Sequence, residues 1–323
     1  MGCEVADAKT GMNEDSTVEL EQRLGALHAR LRLGIEAGRE SRVFGRGRKL
    51  FHLENWYLSA PLIRNALRLS GLYRRARRNA ERVELRHNIV TLANLPPSFH
   101  GFTFLHLSDL HVEINEGAMR RVAELARGLE YDLCVLTGDY RARTAGPIDA
   151  CLDGLRRLRP HLKEPLYGVL GNHDSIRMVP ALEQMGIRML LNEAQEIRRG
   201  DERIHLAGID DAHYFRVDDI EKAAQPIPAG ECSILLSHTP EIYRQAADAG
   251  FDLMLSGHTH GGQICLPGSI PITLESRLPR RFGAGAWRYH SMQGYTSVGA
   301  GCSLVPVRLN CPPEITLHRL QRT

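Results

Sequence analysis

Ser256-Gly257-His258-Thr259-His260-Gly261-Gly262-Gln263 follows a mostly apolar run over residues 251–255. A strand that ends in two histidines and two glycines is poor core material. His258 and His260 stand two apart, so their side chains point the same way, because strand side chains repeat every two residues. The glycines after them let a bound group approach the backbone closely. Alone, His-x-His leaves a metal-binding reading open without deciding it.

Four upstream stretches change the balance. One apolar run ends in His106-Leu107-Ser108-Asp109-Leu110-His111, where a carboxylate and an imidazole are again two apart. Others end in Thr137-Gly138-Asp139-Tyr140, Gly171-Asn172-His173-Asp174 and Ser237-His238-Thr239-Pro240. Strands are expected over 102–107, 133–136, 166–170, 203–207, 233–236, 252–255, 294–298 and 314–318. Helices are expected over 117–129, 150–158, 179–185 and 240–249. This alternation predicts an α/β body with much parallel sheet. In such sheets, polar residues at successive strand ends converge on one crevice. Each has a plain alternative: Asp139 caps a turn, Asn172 takes a left-handed position, His238 caps a helix. Five such endings in order point instead to one site.

The chain of 323 residues holds one large domain plus an extension, and its formal charge of +3 is uneven. Residues 41–87 carry eleven arginines and Lys49 against Glu54, Glu81 and Glu84, a local charge of +9. The remainder is acidic, as suits a metal-binding body. Seven cysteines, Cys3, Cys134, Cys151, Cys232, Cys265, Cys302 and Cys311, are scattered without a Cys-x-x-Cys pair. A disulfide framework and a zinc knuckle are therefore not expected. Met1-Gly2-Cys3 lacks the Ser or Thr of a myristoylation start, Ala6 standing there. No apolar run reaches the roughly 18 residues needed to cross a bilayer, and the polar N-terminus is no export signal. A cytoplasmic location is expected, peripheral at the inner face of the membrane if the basic region binds lipid.

Leu20, Leu24, Leu27 and Leu31 have helical three/four spacing. The Arg42–Lys49 run follows, then Phe51, Trp56 and Tyr57, and then Arg74, Arg75, Arg77 and Arg78. This region reads as a helical extension with a solvated basic face. It also suits an interfacial anchor, with Trp56 and Tyr57 at headgroup depth and arginines on anionic lipid. Nucleic acid is the third and weaker fit. Leu95-Pro96-Pro97 punctuates the boundary between an extension over 1–95 and a catalytic domain over 96–323.

The ordered set Asp-x-His, Gly-Asp, Gly-Asn-His-Asp, Ser-His and Gly-His-Thr-His resembles the calcineurin-like metallophosphoesterase superfamily, from residue 96 to the C-terminus. Leu-Ser-Asp-Leu-His, Ser-His-Thr-Pro-Glu and Gly-His-Thr-His-Gly-Gly-Gln look most like its bacterial branch of small phosphohydrolases. The superfamily also includes a UDP-diacylglucosamine pyrophosphatase. The resemblance implies a four-layer α/β/β/α sandwich of two mixed sheets. It implies two divalent transition-metal ions, Mn, Fe or Zn, with Mn favoured. Metal one would take Asp109, His111, Asp139 and His260; metal two would take Asp139, Asn172, His238 and His258. A shared carboxylate lets two cations sit roughly 3.5–4 Å apart and generate hydroxide near neutral pH. His173 is the expected catalytic residue, stabilising the phosphoryl group or protonating the leaving oxygen.

One departure matters. The protein-phosphatase branch carries a second Asp after Gly-Asp, where this chain reads Gly138-Asp139-Tyr140-Arg141-Ala142-Arg143. Asp174 could orient His173 instead, or act structurally. Arg141, Arg143 and His213 are the substrate-facing candidates, and Arg308 is a weaker phosphate contact; a solvent-exposed role is the plain alternative for the two arginines of the 141–143 stretch. The expected reaction is hydrolysis of a phosphodiester or pyrophosphate of a nucleotide or lipid conjugate. A phosphomonoesterase, a DNA nuclease and a non-enzymatic scaffold on the same fold are the alternatives.

Overall fold

Short, mostly apolar runs explain the central strands. In Thr103–Leu107 (β2), Leu105 and Leu107 face one way and Phe104 the other, and all three are buried. A strand apolar on both faces must be covered on both. A computed structural model of the protein, describing residues 14–41, 59–274 and 276–323, shows how. Leu105 and Leu107 pack with helices Glu116–Arg127 (α5), Asp149–Leu158 (α6) and Val179–Gln184 (α7). Phe104 packs instead with Ile204, Leu206, Ile234, Leu236 and Leu255 of a second sheet. That sheet's opposite face, through Ala207, Leu235 and Met254, meets Ile220–Ala224 (α8) and Tyr243–Asp248 (α9). The layers are α/β/β/α.

Preceding all of these are helices Glu14–Leu24 (α1), Ala26–Ser41 (α2), Ser59–Leu69 (α3) and Tyr73–Ala80 (α4). The first sheet contains Glu84–Leu92 (β1), β2, Leu133–Leu136 (β3), Leu166–Gly168 (β4), Ile187–Met189 (β5) and the last strand, Glu314–Arg322. The second contains Glu193–Arg199 (β6), Glu202–Gly208 (β7), Ser233–Leu236 (β8), Leu253–Ser256 (β9), and Gly285–Tyr289 and Met292–Thr296 near the C-terminus. Between β9 and Gly285 lies a hairpin of Cys265–Leu266 (β10) and Ile270–Pro271 (β11), which makes Gly285–Tyr289 β12, Met292–Thr296 β13 and Glu314–Arg322 β14. The sheet orders are β1-β14-β2-β3-β4-β5 and β12-β13-β9-β8-β7-β6. Both are mixed: β2, β3, β4 and β5 run parallel, as do β13, β9, β8 and β7, while β14/β2, β12/β13 and β6/β7 are antiparallel. The C-terminal ends of β2, β3, β4, β8 and β9 therefore lead the five polar motifs out of the sandwich.

The N-terminal part differs from the expectation of a purely helical extension ending at residue 95. β1 pairs along its whole length with β14, so the first sheet begins at Glu84. Its sequence, Glu-Leu-Arg-His-Asn-Ile-Val-Thr-Leu, reads as polar because it is an edge strand with one half-exposed face. Leu20 and Leu24 enter the core beneath α7, but Leu27 and Leu31 are exposed. Gly25, at φ +87°, breaks the helix and resets its phase, which turns Ala29 and Arg32 inward in their place. Arg42–Lys49, Phe51, Trp56 and Tyr57 lie outside the described residues.

Candidate functional site

All seven residues expected as ligands are buried and linked in one chain of contacts. His260 Nε2 lies 3.3 Å from Asp109 Oδ1 and 3.1 Å from His111 Nε2. His111 Nε2 is 3.8 Å from Asp139 Oδ2, and the same oxygen is 3.2 Å from His238 Nε2. His238 Nε2 in turn meets Asn172 Oδ1 at 2.9 Å and His258 Nδ1 at 3.2 Å. Two carboxylate-imidazole clusters result, Asp109-His111-His260 and Asp139-His238-His258, each close enough to hold one ion.

The backbone is shaped to this arrangement. Asp109, His111, Asp139, His258 and His260 all have positive φ, between 38° and 70°. Left-handed backbone at a non-glycine residue costs on the order of 1–3 kcal/mol. Five such residues at the ends of three strands are held there by their surroundings. A Cβ on Gly257 would fall 2.3 Å from Asp109 Oδ2, and one on Gly171 would fall 2.2 Å from Asp139 Oδ1. Both glycines leave space that the carboxylates occupy.

Hydrogen bonds fix the rings. His111 Nδ1 donates to Arg141 O and His238 Nδ1 to Thr137 O, both at 2.8 Å, which aims each Nε2 inward. Ser108 Oγ donates to Asp109 Oδ2 at 2.6 Å. Burial, eased by the nearby His238 charge, pushes Asp109 up to about 6. Burial also opposes charge on Asp139, but His238, His173 and His111 outweigh it and hold that carboxyl well below its usual range. His238 is the reciprocal case: burial disfavours its cation, yet Asp139 and Asp109 push it up to about 10. Burial drives His111 down to about 4 and His260 well below its ordinary value. Inward-facing Nε2 atoms clustered with buried carboxylates fit a cation-binding centre, where a bound cation would displace the His238 proton.

The remaining expected residues divide. His173 Nε2 is 3.9 Å from Asp139 Oδ2, while its Nδ1 meets Thr144 Oγ1 at 3.2 Å. His213 packs against His258 with ring centroids 4.2 Å apart and planes tilted by 47°, and its Nδ1 bonds Glu241 at 2.7 Å. Arg143 is exposed on the loop after Asp139. Arg141, by contrast, is buried: its guanidinium donates to Gly146 O at 3.0 Å and its own carbonyl holds His111.

Two readings are corrected by burial. Arg308 is fully buried and makes no surface phosphate contact. It donates to the carbonyls of Val298 (2.7 Å), Gly301 (2.7 Å) and His260 (3.1 Å), tying the His260 turn to the segment before β14. Asp174 is fully buried too, and accepts from the backbone N–H groups of Gly171, Asp139 and Tyr140 at 2.7–2.9 Å. It joins two ligand loops through backbone contacts, in keeping with the structural one of its two expected roles. Ser108, Thr144, Glu241 and Arg32 were not singled out in the sequence. Ser108, inside the Leu-Ser-Asp-Leu-His motif, and Glu241, closing Ser-His-Thr-Pro-Glu, gave signals that could have found them.

The calcineurin-like phosphoesterase family pattern matches residues 102–262. An uncharacterized metallophosphoesterase of Bacillus subtilis, YkoQ, is 30% identical over 256 residues, covering 76% of this chain and 93% of that protein. Phosphodiesterase YaeI of Escherichia coli is 31% identical over 235 residues, 68% of this chain and 82% of its own length. A Danio rerio transmembrane protein with a metallophosphoesterase domain is 30% identical over 247 residues, 70% of this chain; the chain spans 55% of that protein. No described helix of the present chain is long and apolar enough to cross a membrane.

Proposed function

Because the chain belongs to the calcineurin-like phosphoesterase family, and so is a hydrolase of phosphoric esters, we propose that it cleaves a phosphodiester or pyrophosphate bond at a dinuclear metal centre. The observation that carries this reading is the position of Asp139. Its Oδ2 lies between the two clusters, 3.8 Å from His111 and 3.2 Å from His238. Asp109, His111, Asp139 and His260 would hold one ion; Asp139, Asn172, His238 and His258 would hold the other. Mixed imidazole and oxygen donors suit Mn, Fe or Zn better than an all-oxygen cage suits them, and Mn is favoured. Ions held there would polarise phosphoryl oxygens and lower the pKa of water so that hydroxide is available near neutral pH.

The chain's own groups do the rest. His173, held through Nδ1 by Thr144, presents Nε2 beside Asp139 and delivers a proton to the leaving oxygen. Thr144 takes the orienting place that a carboxylate fills in the protein-phosphatase branch. His213, set by Glu241, and the exposed Arg143 face the substrate. The substrate class is a nucleotide or lipid conjugate, and the +9 charge of residues 41–87 favours lipid.

The test is hydrolysis of a matched model phosphodiester and phosphomonoester after Mn loading, with Asp139→Asn as control. Diester cleavage that disappears in the variant, together with a lower metal content, is expected. A monoester preference would shift the reading to a phosphomonoesterase. A chain that binds no metal would overturn it.

A further inference from the structure

The segment that carries His258 and His260 runs directly into a hairpin that belongs to neither large sheet. β10 and β11 pair only with each other. Two strands of two residues are marginal in water by themselves. Yet this hairpin exposes Leu266, Ile270 and Ile272 at 52%, 51% and 56% of their surface. Three half-exposed aliphatic side chains on one small projection form a surface that a soluble fold ordinarily buries.

The projection stands at the mouth of the site. A Cβ on Gly262 would fall 2.5 Å from Pro271 Cβ and 2.7 Å from Thr273 O, so the return strand lies against the His260 turn. Just beyond it, Ser276 Oγ and Arg277 N donate to Glu241, the residue that sets His213 over His258. On its other side, Ile264 shares a small core with Ile63 and Leu67 of α3, Ala76 of α4, Val305 and Val307. Helix α3 shows a second aliphatic stripe, Leu62, Ala66 and Leu69 at i, i+4 and i+7, all exposed. Exposed arginines follow the aliphatic groups in the chain: Arg74, Arg75, Arg77 and Arg78 on α4, and Arg280 and Arg281 after the hairpin.

We propose that the β10–β11 hairpin and helix α3 dock on an anionic lipid bilayer, setting the metal-ligand crevice against the headgroup layer, so that the substrate is a phosphodiester or pyrophosphate of a membrane lipid. This rests on the hydrolase reading above and names its substrate class. Aliphatic groups enter the acyl boundary while the arginines meet anionic headgroups. The composition separates this from single-stranded nucleic acid, which is gripped by aromatic stacking platforms. Every large hydrophobic side chain exposed among the described residues is Val, Leu or Ile.

The test is co-sedimentation of the full chain with phosphatidylcholine vesicles, with and without phosphatidylglycerol. The wild-type chain is expected to bind the anionic vesicles. Replacing Leu266, Ile270 and Ile272 with Ser should weaken binding about tenfold or more, from the apolar groups withdrawn. Neutralising the α4 arginines to Gln should weaken it roughly fivefold per arginine near the surface. A single Ile270→Lys separates insertion from attraction, because it adds a cation and still should weaken binding. No binding by the wild-type chain, triple-Ser binding equal to wild type, or tighter binding by Ile270→Lys would each overturn the proposal. So would salt-sensitive binding to DNA in place of vesicles. Vesicle binding is read without turnover. Binding without diester hydrolysis would therefore sink the catalytic reading alone, and hydrolysis without binding would sink the docking surface alone.

Discussion

The guanidinium of Arg32 donates to the backbone carbonyl of Asp174 at 2.8 Å, joining α2 to the loop that carries Asn172 and His173. The same buried side chain lies over the Phe215 ring, 3.3 Å from its centroid, and 3.7 Å from Asp210. Four residues on, Glu36 accepts from Ser175 Oγ and Ile176 N at 2.6 and 2.9 Å. One turn before, His28 meets Asp210 at 3.1 Å. Helix α2 thus braces two loops of the site from behind: the one bearing His173 and the one bearing His213.

Arg32→Met should therefore be damaging far from the reacting atoms. It leaves Asp210 buried with less compensation, and breaking a buried pair from one side costs about 3–5 kcal/mol. Urea unfolding should show that loss, and Asp210→Asn in the same chain should recover part of it. In the folded fraction, diester kcat should fall more than KM rises, because the His173 loop loses its brace. Equal effects with and without Asp210→Asn would show that the two groups are not coupled.

Gly257→Ala should impair metal loading without removing a ligand atom. Its Cβ would meet Ser108 Oγ at 1.8 Å and Asp109 Oδ2 at 2.3 Å, so that carboxylate must move. Elemental analysis after Mn loading should show the loss of about one ion, since the clash falls on Asp109 and on no side chain of the Asp139-His238-His258 cluster. Gly34→Ala is the control: its Cβ meets nothing within 4 Å and it lies inside α2. There the change should stabilise the helix by up to about 1 kcal/mol and leave metal content alone.

Both predictions turn on what was and was not readable in the chain. Strands buried on both faces were legible as short apolar runs, and their polar endings marked the residues that the fold brings together. β1 and β6 were not, because edge strands mix charged and apolar residues. Leu27 and Leu31 kept helical spacing in the sequence but lost it in space, since Gly25 restarts the helix. The bracing groups were the least visible. Asp174, Arg308 and Arg32 act through backbone carbonyls and N–H groups, many of them on other loops, and no spacing rule reports such partners.

His173→Gln should separate catalysis from metal binding. Nε2 of His173 approaches Asp139 at 3.9 Å, but the ring belongs to neither of the two ion-holding clusters. Loss of a positioned acid lowers rate by about a hundredfold to ten-thousandfold. Metal content should stay at the wild-type level. Thr144→Val, which removes the hydroxyl at Nδ1, should give a smaller loss in kcat with metal content unchanged. A metal-depleted His173→Gln chain would assign the ring a ligand role instead.

Acid should destabilise the fold through two histidines between the sheets. His106 bonds Thr137 Oγ1 at 2.8 Å, lies 3.4 Å from His318 Nε2 and faces the Tyr295 ring. Burial lowers His106 from the ordinary 6.5 to about 3 and drives His318 well below 6.5, with His106 adding to the effect. Both pKa values are depressed by folding, so the unfolded chain binds more protons below pH 6.5. Their contribution to stability is complete above 6.5 and is lost as pH falls toward 3. From about pH 7 to about pH 5 the loss should be about 2 kcal/mol from His106, and His318 adds to it in the same direction. Glu314, raised by burial, takes up a proton earlier in the folded chain and offsets part of the loss at lower pH. Urea midpoints across this range should fall steeply for the wild-type chain. With His106→Gln and His318→Gln combined, the slope should flatten while the midpoint near pH 7 drops. An unchanged slope in that double variant would place the acid sensitivity elsewhere.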